Sequence, residues 1–437
     1  MNPAISLSPY RPSHEVPWDR DAASHLLGRA GFAPSESEVQ ATIQAGPDAT
    51  IDRLITASED SPRHDELDAL GDRLAAKDDI EALRGWWLLR QSHTIRPLRA
   101  RMALFWHDHF ATSNAKVRSP ALMYRQLRTF EHLALGKFGD MVRAVSRDPA
   151  MIVWLDGNLN VKGRPNENYA RELFELFTLG VGNYTEQDIK ASARAFTGWH
   201  QKQGRFHFDR LSHDAGPKTV LGWTGPLDGE DVIAAALAQP ACARFITTKL
   251  LREFLCPEPP EALVDALAQV LRDSDYDLSL TLRTLLGSRA MFDPGWRRTR
   301  IKSPVEFVVG IVRSLELSVG ADDLSAAVSQ MGQALFEPPS VKGWDDHRAW
   351  LNSASMLVRL NAAVTATSED MLDPDRLIAR YSLDGTRAIV RFCARLAFGT
   401  HVPAALERQL RAIDAEPARA MREALRLLLT SPEYQFT

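Results

Sequence analysis

Acidic side chains collect between residues 164 and 188, in the stretch RPNENYARELFELFTLGVGNYTEQD. Helical spacing places Asn168, Arg171, Glu172 and Glu175 on one side of a helix through this stretch. Glu172 and Glu175 lie one turn apart, so repulsion between them would favour protonation of one, as acid–base catalysis requires. The alternative is a solvated surface helix in which Arg171 neutralises the carboxylates. We predict Glu172 or Glu175 as the general acid or base, with Asn168 and Arg171 contacting substrate.

A second polar group, FWHDHFATSNAK at residues 105–116, contains a His-x-His pair. In a helix that continues, His107 and His109 would lie about 200° apart and could not bind one ion. If the helix ends at Trp106 and the chain extends, both rings point to the same side, and the polar TSN sequence that follows favours this end. The pattern then predicts proton transfer or metal binding by the two histidines, with Asp108 beside them as a substrate contact. The alternative is a pair of histidines that satisfies helix-terminal carbonyls.

A polar turn at residues 211–225, LSHDAGPKTVLGWTG, supplies two further candidates. His213 would assist proton transfer or complete a metal shell, and Lys218 would hold an anionic or hydroxyl-rich substrate. Taken in isolation, the segment is more typical of a capped turn with an exposed lysine.

Tryptophans alternate with polar residues in EPPSVKGWDDHRAWLN, residues 337–352. Trp344 and Trp350 could form a wall on which a sugar or another ring stacks. Core anchoring is the alternative for each of them, since the chain contains ten tryptophans.

Composition and missing signatures narrow the function. With 52 basic and 56 acidic residues in a chain of 437, no global field recruits nucleic acid or an anionic membrane, so we expect no nucleic-acid partner. Three cysteines are too few for a disulfide framework, and no secretory signal or membrane span is evident, which favours a cytoplasmic location. The P-loop, dinucleotide-binding, zincin and nucleophile-elbow motifs are missing. No cofactor is therefore expected, although a divalent metal held by His107, His109 or His213 stays an alternative.

Helical periodicity covers most of the chain, with Asp19 or Asp21 as the first N-cap and Pro97 in the first turn of a later helix. Only GRFHFD and KTVLGW resemble strands. We predict a mainly α fold, a large multi-helix domain with a short irregular or hairpin insertion near residues 204–224. Two lobes, residues 19–199 and 229–437, would flank this insertion.

Seven segments together resemble one bacterial family. They are HLLGRAGFAPS, FWHDHFATS, NENYARELFELFTLGVGNYTEQDIKASARAFTGW, HDAGPKTVLG, IKSPVEF, PPSVKGWDDHRAWLNSASMLVRLN and LLLTSPEYQF. In this order they are similar to the domain-of-unknown-function family numbered 1800. The resemblance implies a single helical domain over residues 1–437 and no established reaction. It also implies a sulfatase-like protein partner with an export signal, since family members are often encoded beside one.

The leading hypothesis is an acid–base hydrolase or lyase whose polar segments converge on one cleft and act on a polar small molecule or glycan. A metal-dependent hydrolase that uses His107 and His109 is one alternative. A non-catalytic helical binding or scaffold protein is the other, because a single sequence does not show whether the polar segments converge.

Overall fold

The computed structural model describes residues 6–57, 61–345 and 347–437. The fold is mainly α, as the sequence predicts. Helices hold 61% of the residues, and the described ranges contain 23 α-helices and two small two-stranded sheets.

Ten α-helices precede the acidic stretch. They are α1 (Arg20–Ala30), α2 (Glu36–Ala45), α3 (Pro47–Thr56), α4 (Pro62–Ala75), α5 (Ile80–Ser92), α6 (Pro97–His109), α7 (Asn114–Val117), α8 (Pro120–Leu133), α9 (Phe138–Ser146) and α10 (Pro149–Trp154). Asp19 caps α1 by accepting a hydrogen bond from the Ala22 N–H at 3.0 Å, and Pro97 opens α6, so both sequence signals are confirmed.

The middle of the chain contains the acidic helix and two β-hairpins. Its elements are α11 (Asn168–Glu172), a π-helical segment (Leu173–Thr178), α12 (Glu186–Ala195), β1 (Trp199–Lys202), β2 (Arg205–Phe208), β3 (Lys218–Val220) and β4 (Trp223–Gly225). Strands β1 and β2 pair antiparallel, as do β3 and β4. The predicted insertion is therefore confirmed as two hairpins.

Eleven α-helices follow the hairpins. They are α13 (Gly229–Ala238), α14 (Pro240–Phe254), α15 (Glu261–Asp273), α16 (Leu278–Leu286), α17 (Pro304–Ser314), α18 (Ala321–Gln330), α19 (Ser353–Ala366), α20 (Pro374–Arg380), α21 (Gly385–Phe398), α22 (Ala404–Arg411) and α23 (Pro417–Leu429). Within the described ranges, none of the helices is long and apolar enough to cross a membrane.

Helices from both predicted lobes pack against each other. Helix α5 contacts α17 and α18, and α1 contacts α14. One connected apolar core runs through these contacts and includes Trp86, Trp87 and Trp106, all almost fully buried. The boundary between two lobes stays a prediction, while the shared core explains how distant stretches of sequence reach one place.

The first hairpin is held against the start of α13 by a glycine. A Cβ built on Gly229 would lie 2.5 Å from Trp199 Cζ2 and 2.7 Å from two ring carbons of Phe196. Both aromatic rings are buried, so they have little room to move. The close approach of hairpin and helix therefore depends on the missing side chain.

We predict that Gly229→Ala lowers the free energy of unfolding by about 1–3 kcal/mol, because the added methyl overpacks the hairpin contact. Urea unfolding measures this change. Gly225→Ala is the control, since a Cβ there meets only Leu227, at an ordinary 3.7 Å. Equal stabilities of the two variants would contradict the prediction.

Candidate active site

Three of the polar stretches meet at one cleft of about 450 Å³. Asp108 and His109 reach it from α6, and Glu175 reaches it from the π-helical segment. Trp344 and Trp350 line it from the loop that precedes α19. The sequence therefore identified side chains on three separate elements that line the same cavity.

The predicted helix end at Trp106 is wrong, because α6 continues to His109. The TSN sequence that suggested the end belongs to the next helix, where Ser113 caps α7. In the continuous helix the two histidines diverge: His107 faces Phe336 and Trp344, whereas His109 faces Phe177 and Phe245. The pair cannot bind one ion in this geometry.

His107 lies in the core and not among the residues that line the cleft. Its Nε2 accepts a hydrogen bond from the Phe336 N–H at 3.0 Å, and its ring packs edge-on against Trp87. Phe336 has a left-handed backbone, with φ of 64°, so the imidazole holds a conformation that a non-glycine residue seldom adopts. Burial lowers the pKa of His107 to about 3, which keeps the ring neutral and able to accept this bond.

His109 is also buried, and both of its ring nitrogens are engaged. Nε2 lies 3.1 Å from the Phe177 carbonyl oxygen, and Nδ1 lies 3.0 Å from Nζ of Lys249. A carbonyl only accepts and an ammonium only donates, so Nε2 carries the proton and Nδ1 accepts from Lys249. Burial and the Lys249 cation hold the pKa of His109 well below its ordinary value. His109 therefore positions Lys249, which itself lines the cleft.

Asp108 fixes the tryptophan loop. Its Oδ1 accepts a hydrogen bond from the Trp344 N–H at 2.9 Å. The preceding residue, Gly343, has φ of 91°, and a Cβ there would lie 2.3 Å from the same carboxylate oxygen. The Lys-Gly-Trp sequence thus lets the backbone pass directly over Asp108 and places Trp344 at the cleft.

The acidic helix departs from α-helical geometry where its carboxylates lie. Helix α11 begins at Asn168 and gives way to the π-helical segment after Glu172. Glu175 lines the cleft, and its Oε2 accepts a hydrogen bond from the Tyr184 hydroxyl at 3.0 Å. Burial raises the pKa of half-buried Glu172, and the Glu175 carboxylate raises it further. The two carboxylates therefore interact, but the cleft lining contains Glu175 and not Glu172.

Arg171 and Asn168 lie apart from the cleft lining. Arg171 pairs with Glu167 at 3.1 Å and with Glu186 at 2.8 Å. Asn168 is exposed, and its amide lies 3.4 Å from an Asp156 carboxylate oxygen. These contacts tie α11 to its neighbours.

The turn containing His213 and Lys218 also lies outside the cleft lining. Nδ1 of His213 bonds the Thr197 carbonyl at 2.9 Å. Lys218 is buried and donates from Nζ to three backbone carbonyls, those of Asp214, Gly216 and Leu227. Burial lowers the pKa of this amine. These contacts favour the alternative interpretation of this segment, a capped turn. The lysine of that turn is buried, whereas the sequence suggested that it would be exposed.

Sequence reasoning missed the charged residues beneath the cleft. Arg101 pairs with Glu253 and, at 2.7 Å, with Glu306, while Arg300 lies 3.1 Å from Glu306 and 3.2 Å from Glu253. Burial opposes ionisation of Glu306, but the two arginines outweigh it and hold its pKa below the ordinary value. The available signal was the spacing of Lys249 and Glu253, four residues apart on α14, which places both on one face.

Metal binding gains no direct geometric support. Over the ranges that the structure describes, no group of three or more His, Cys, Asp or Glu side chains is arranged to hold a metal ion. His213 completes no shell with His107 and His109, whose facing directions differ. The metal alternative therefore stays a hypothesis that needs other ligands.

Comparison with known proteins places the chain in a family. Residues 25–436 match the family model described as "Protein of unknown function (DUF1800)". The chain belongs to the DUF1800 family. No curated protein and no solved structure matches it. All the cleft residues named above fall within the matched range, so the cleft is part of the DUF1800 region itself.

We predict that this DUF1800 protein loses stability as the pH falls from about 6.5 toward 3, in part through His107. In the unfolded chain a histidine takes up a proton near pH 6.5, whereas buried His107 does so only near pH 3. The unfolded state binds more protons between these values, so each such histidine contributes up to about 1.4 kcal/mol per pH unit. In His107→Gln the slope of unfolding free energy against pH should be shallower. Parallel curves for the two proteins would contradict this role.

Proposed function

We propose that the protein is a hydrolase or lyase that acts by acid–base catalysis on a polar, carbohydrate-like substrate. One observation carries the proposal: a carboxylate, an amine and two tryptophans, those of Glu175, Lys249, Trp344 and Trp350, line the same cleft. A cavity of this volume accommodates a small ligand or part of a carbohydrate chain. Acid–base cleavage of a glycosidic bond needs carboxylates and no cofactor.

Glu175 is the proposed general base or acid. The Tyr184 hydroxyl fixes the orientation of its carboxylate, as a catalytic carboxylate requires. Glu172 adds negative charge close by: burial raises the pKa of Glu172, and its repulsion from the Glu175 carboxylate raises it further. This assignment keeps the carboxylate chemistry predicted from the sequence and gives Glu175 the contact with substrate.

Lys249 is the proposed electrostatic partner. His109 accepts a hydrogen bond from Nζ, so the ammonium is directed by a neutral, buried imidazole. Its charge would bind a substrate oxygen and stabilise negative charge that develops on that oxygen. His109 acts here as a positioning residue, since both of its nitrogens are already bonded.

Trp344 and Trp350 are the proposed ring contacts. Each is more than nine-tenths buried, yet each contributes surface to the cleft. Rigid aromatic faces of this kind bind sugar rings with little loss of conformational entropy. Asp108 holds the backbone of this loop, so the aromatic wall has a fixed position relative to α6.

A binding protein without catalysis is the second candidate, because the same cleft would hold a ligand without transforming it. A polysaccharide and oligosaccharide panel separates the two candidates. New reducing ends report hydrolysis, and ultraviolet absorbance of unsaturated products reports elimination. Saturable binding without either product would favour the binding protein.

We expect Glu175→Gln to lower turnover by about 10²- to 10⁴-fold, the usual contribution of a general acid or base. Glu167→Gln is the matched control, because Glu167 lies on the same stretch, pairs with Arg171 and is absent from the cleft lining. Turnover in the control should stay close to that of the parent. An active protein in which Glu175→Gln has no effect would overturn the assignment.

A further inference from the structure

A second cavity, of about 310 Å³, also has the buried Glu306 in its lining. It is enclosed by α1, the loop at residues 294–302, the end of α21 and the last residues of the chain. Phe32, Val39 and Phe398 supply apolar surface within it. This volume accommodates an organic molecule of metabolite size and not only a single ion.

Cationic side chains dominate the cavity lining. They are Arg20, Arg297, Arg298, Lys302 and Arg395, against two carboxylates. Both carboxylates are already engaged. Asp21 accepts hydrogen bonds from the Thr400 N–H and hydroxyl and pairs with His401, while Glu306 pairs with Arg101 and Arg300. Arg20 pairs with Glu36 outside the lining. The remaining four cations therefore give the cavity an excess of positive charge that its own acidic groups do not balance.

Two lining groups have polar atoms buried without a hydrogen-bond partner. They are Nε of Arg297, which is a donor, and Nε2 of His25, which is an acceptor because the other nitrogen of this neutral ring bonds the Met291 backbone. Behind them Arg29 is fully buried and donates from Nη2 to the carbonyl oxygens of Trp296 and Thr437, while its Nε and Nη1 have no partner. Unpaired buried donors are costly, so a ligand that accepts hydrogen bonds from these arginines would stabilise the arrangement.

The lowered pKa values of two basic side chains at or behind this cavity are consistent with an excess of positive charge. Burial, together with the Arg300 cation, lowers the pKa of Arg29 to about 9. Burial likewise lowers the pKa of Lys302 to about 7, despite the attraction of Glu306. An anion placed among these groups would offset both effects.

We propose that this cavity is a binding site for a small organic anion, recognised through its phosphate or carboxylate group by Arg297, Arg395 and Lys302. Arginine forks suit the oxygens of either group, and the apolar walls suit the rest of such a molecule. The site is independent of the cleft chemistry proposed above, since the two cavities share only Glu306 in their linings.

Calorimetric titration and thermal unfolding of the full chain test the site, with inorganic phosphate and citrate as probes. Sodium chloride at matched ionic strength controls for screening. We expect saturable binding and a rise in Tm above that in sodium chloride. Binding of phosphate alone indicates a tetrahedral group, binding of citrate alone indicates carboxylates, and binding of both indicates a general oxyanion site.

The double variant Arg297→Gln, Arg395→Gln should bind about tenfold or more weakly. Arg391→Gln is the matched control, since Arg391 is exposed on α21, one turn before Arg395, and lies outside the cavity lining. Arg395→Gln alone, at an exposed position, serves if the double variant fails to fold. Equal weakening by Arg391→Gln, or no binding of either probe to the parent, would overturn the proposal.

Discussion

The cleft depends on four charged side chains that meet beneath it. Arg101 comes from α6, Glu253 from α14, Glu306 from α17 and Arg300 from the loop before α17. Two arginines and two glutamates balance in charge, which makes their burial tolerable. Removing one of them would leave a buried charge without compensation, at a cost of about 3–5 kcal/mol. Such a group adds little net stability, and its ion pairs link the elements that carry the four side chains.

The placement of these helices also fixes the cleft residues that lie further along them. Lys249 lies one turn before Glu253 on α14, and Phe105 and Asp108 lie one and two turns beyond Arg101 on α6. The ion pairs beneath the cleft thus determine where the Lys249 amine and the Asp108 carboxylate reach the cleft. Asp108 also fixes the position of the loop that contains Trp344, because its carboxylate accepts a hydrogen bond from the Trp344 N–H.

The sequence predicted the fold well because its signals are local. The Asp19 cap, Pro97 and the hairpin insertion depend on a few neighbouring residues and were confirmed. The cleft was predicted only in part. Glu253 and Glu306 sit in ordinary amphipathic helices, and nothing in their local pattern shows that they meet Arg101 across the core. Their ion pairs with Arg101 join residues far apart in the sequence, and helical periodicity does not predict such contacts.

The same limit explains why Glu175, and not Glu172, lines the cleft. A sequence projection assumes a uniform α-helix, but the Leu179 N–H bonds the Phe174 carbonyl five residues earlier, at 2.9 Å. Glu175 lies within the π-helical segment, so its side chain points in a direction that a uniform α-helix would not give it. The segment also ends where helix carbonyls lack intrahelical donors, and His109 donates to one of them, that of Phe177. The irregular turn therefore directs Glu175 to the cleft and, through His109, directs Lys249 to the same place.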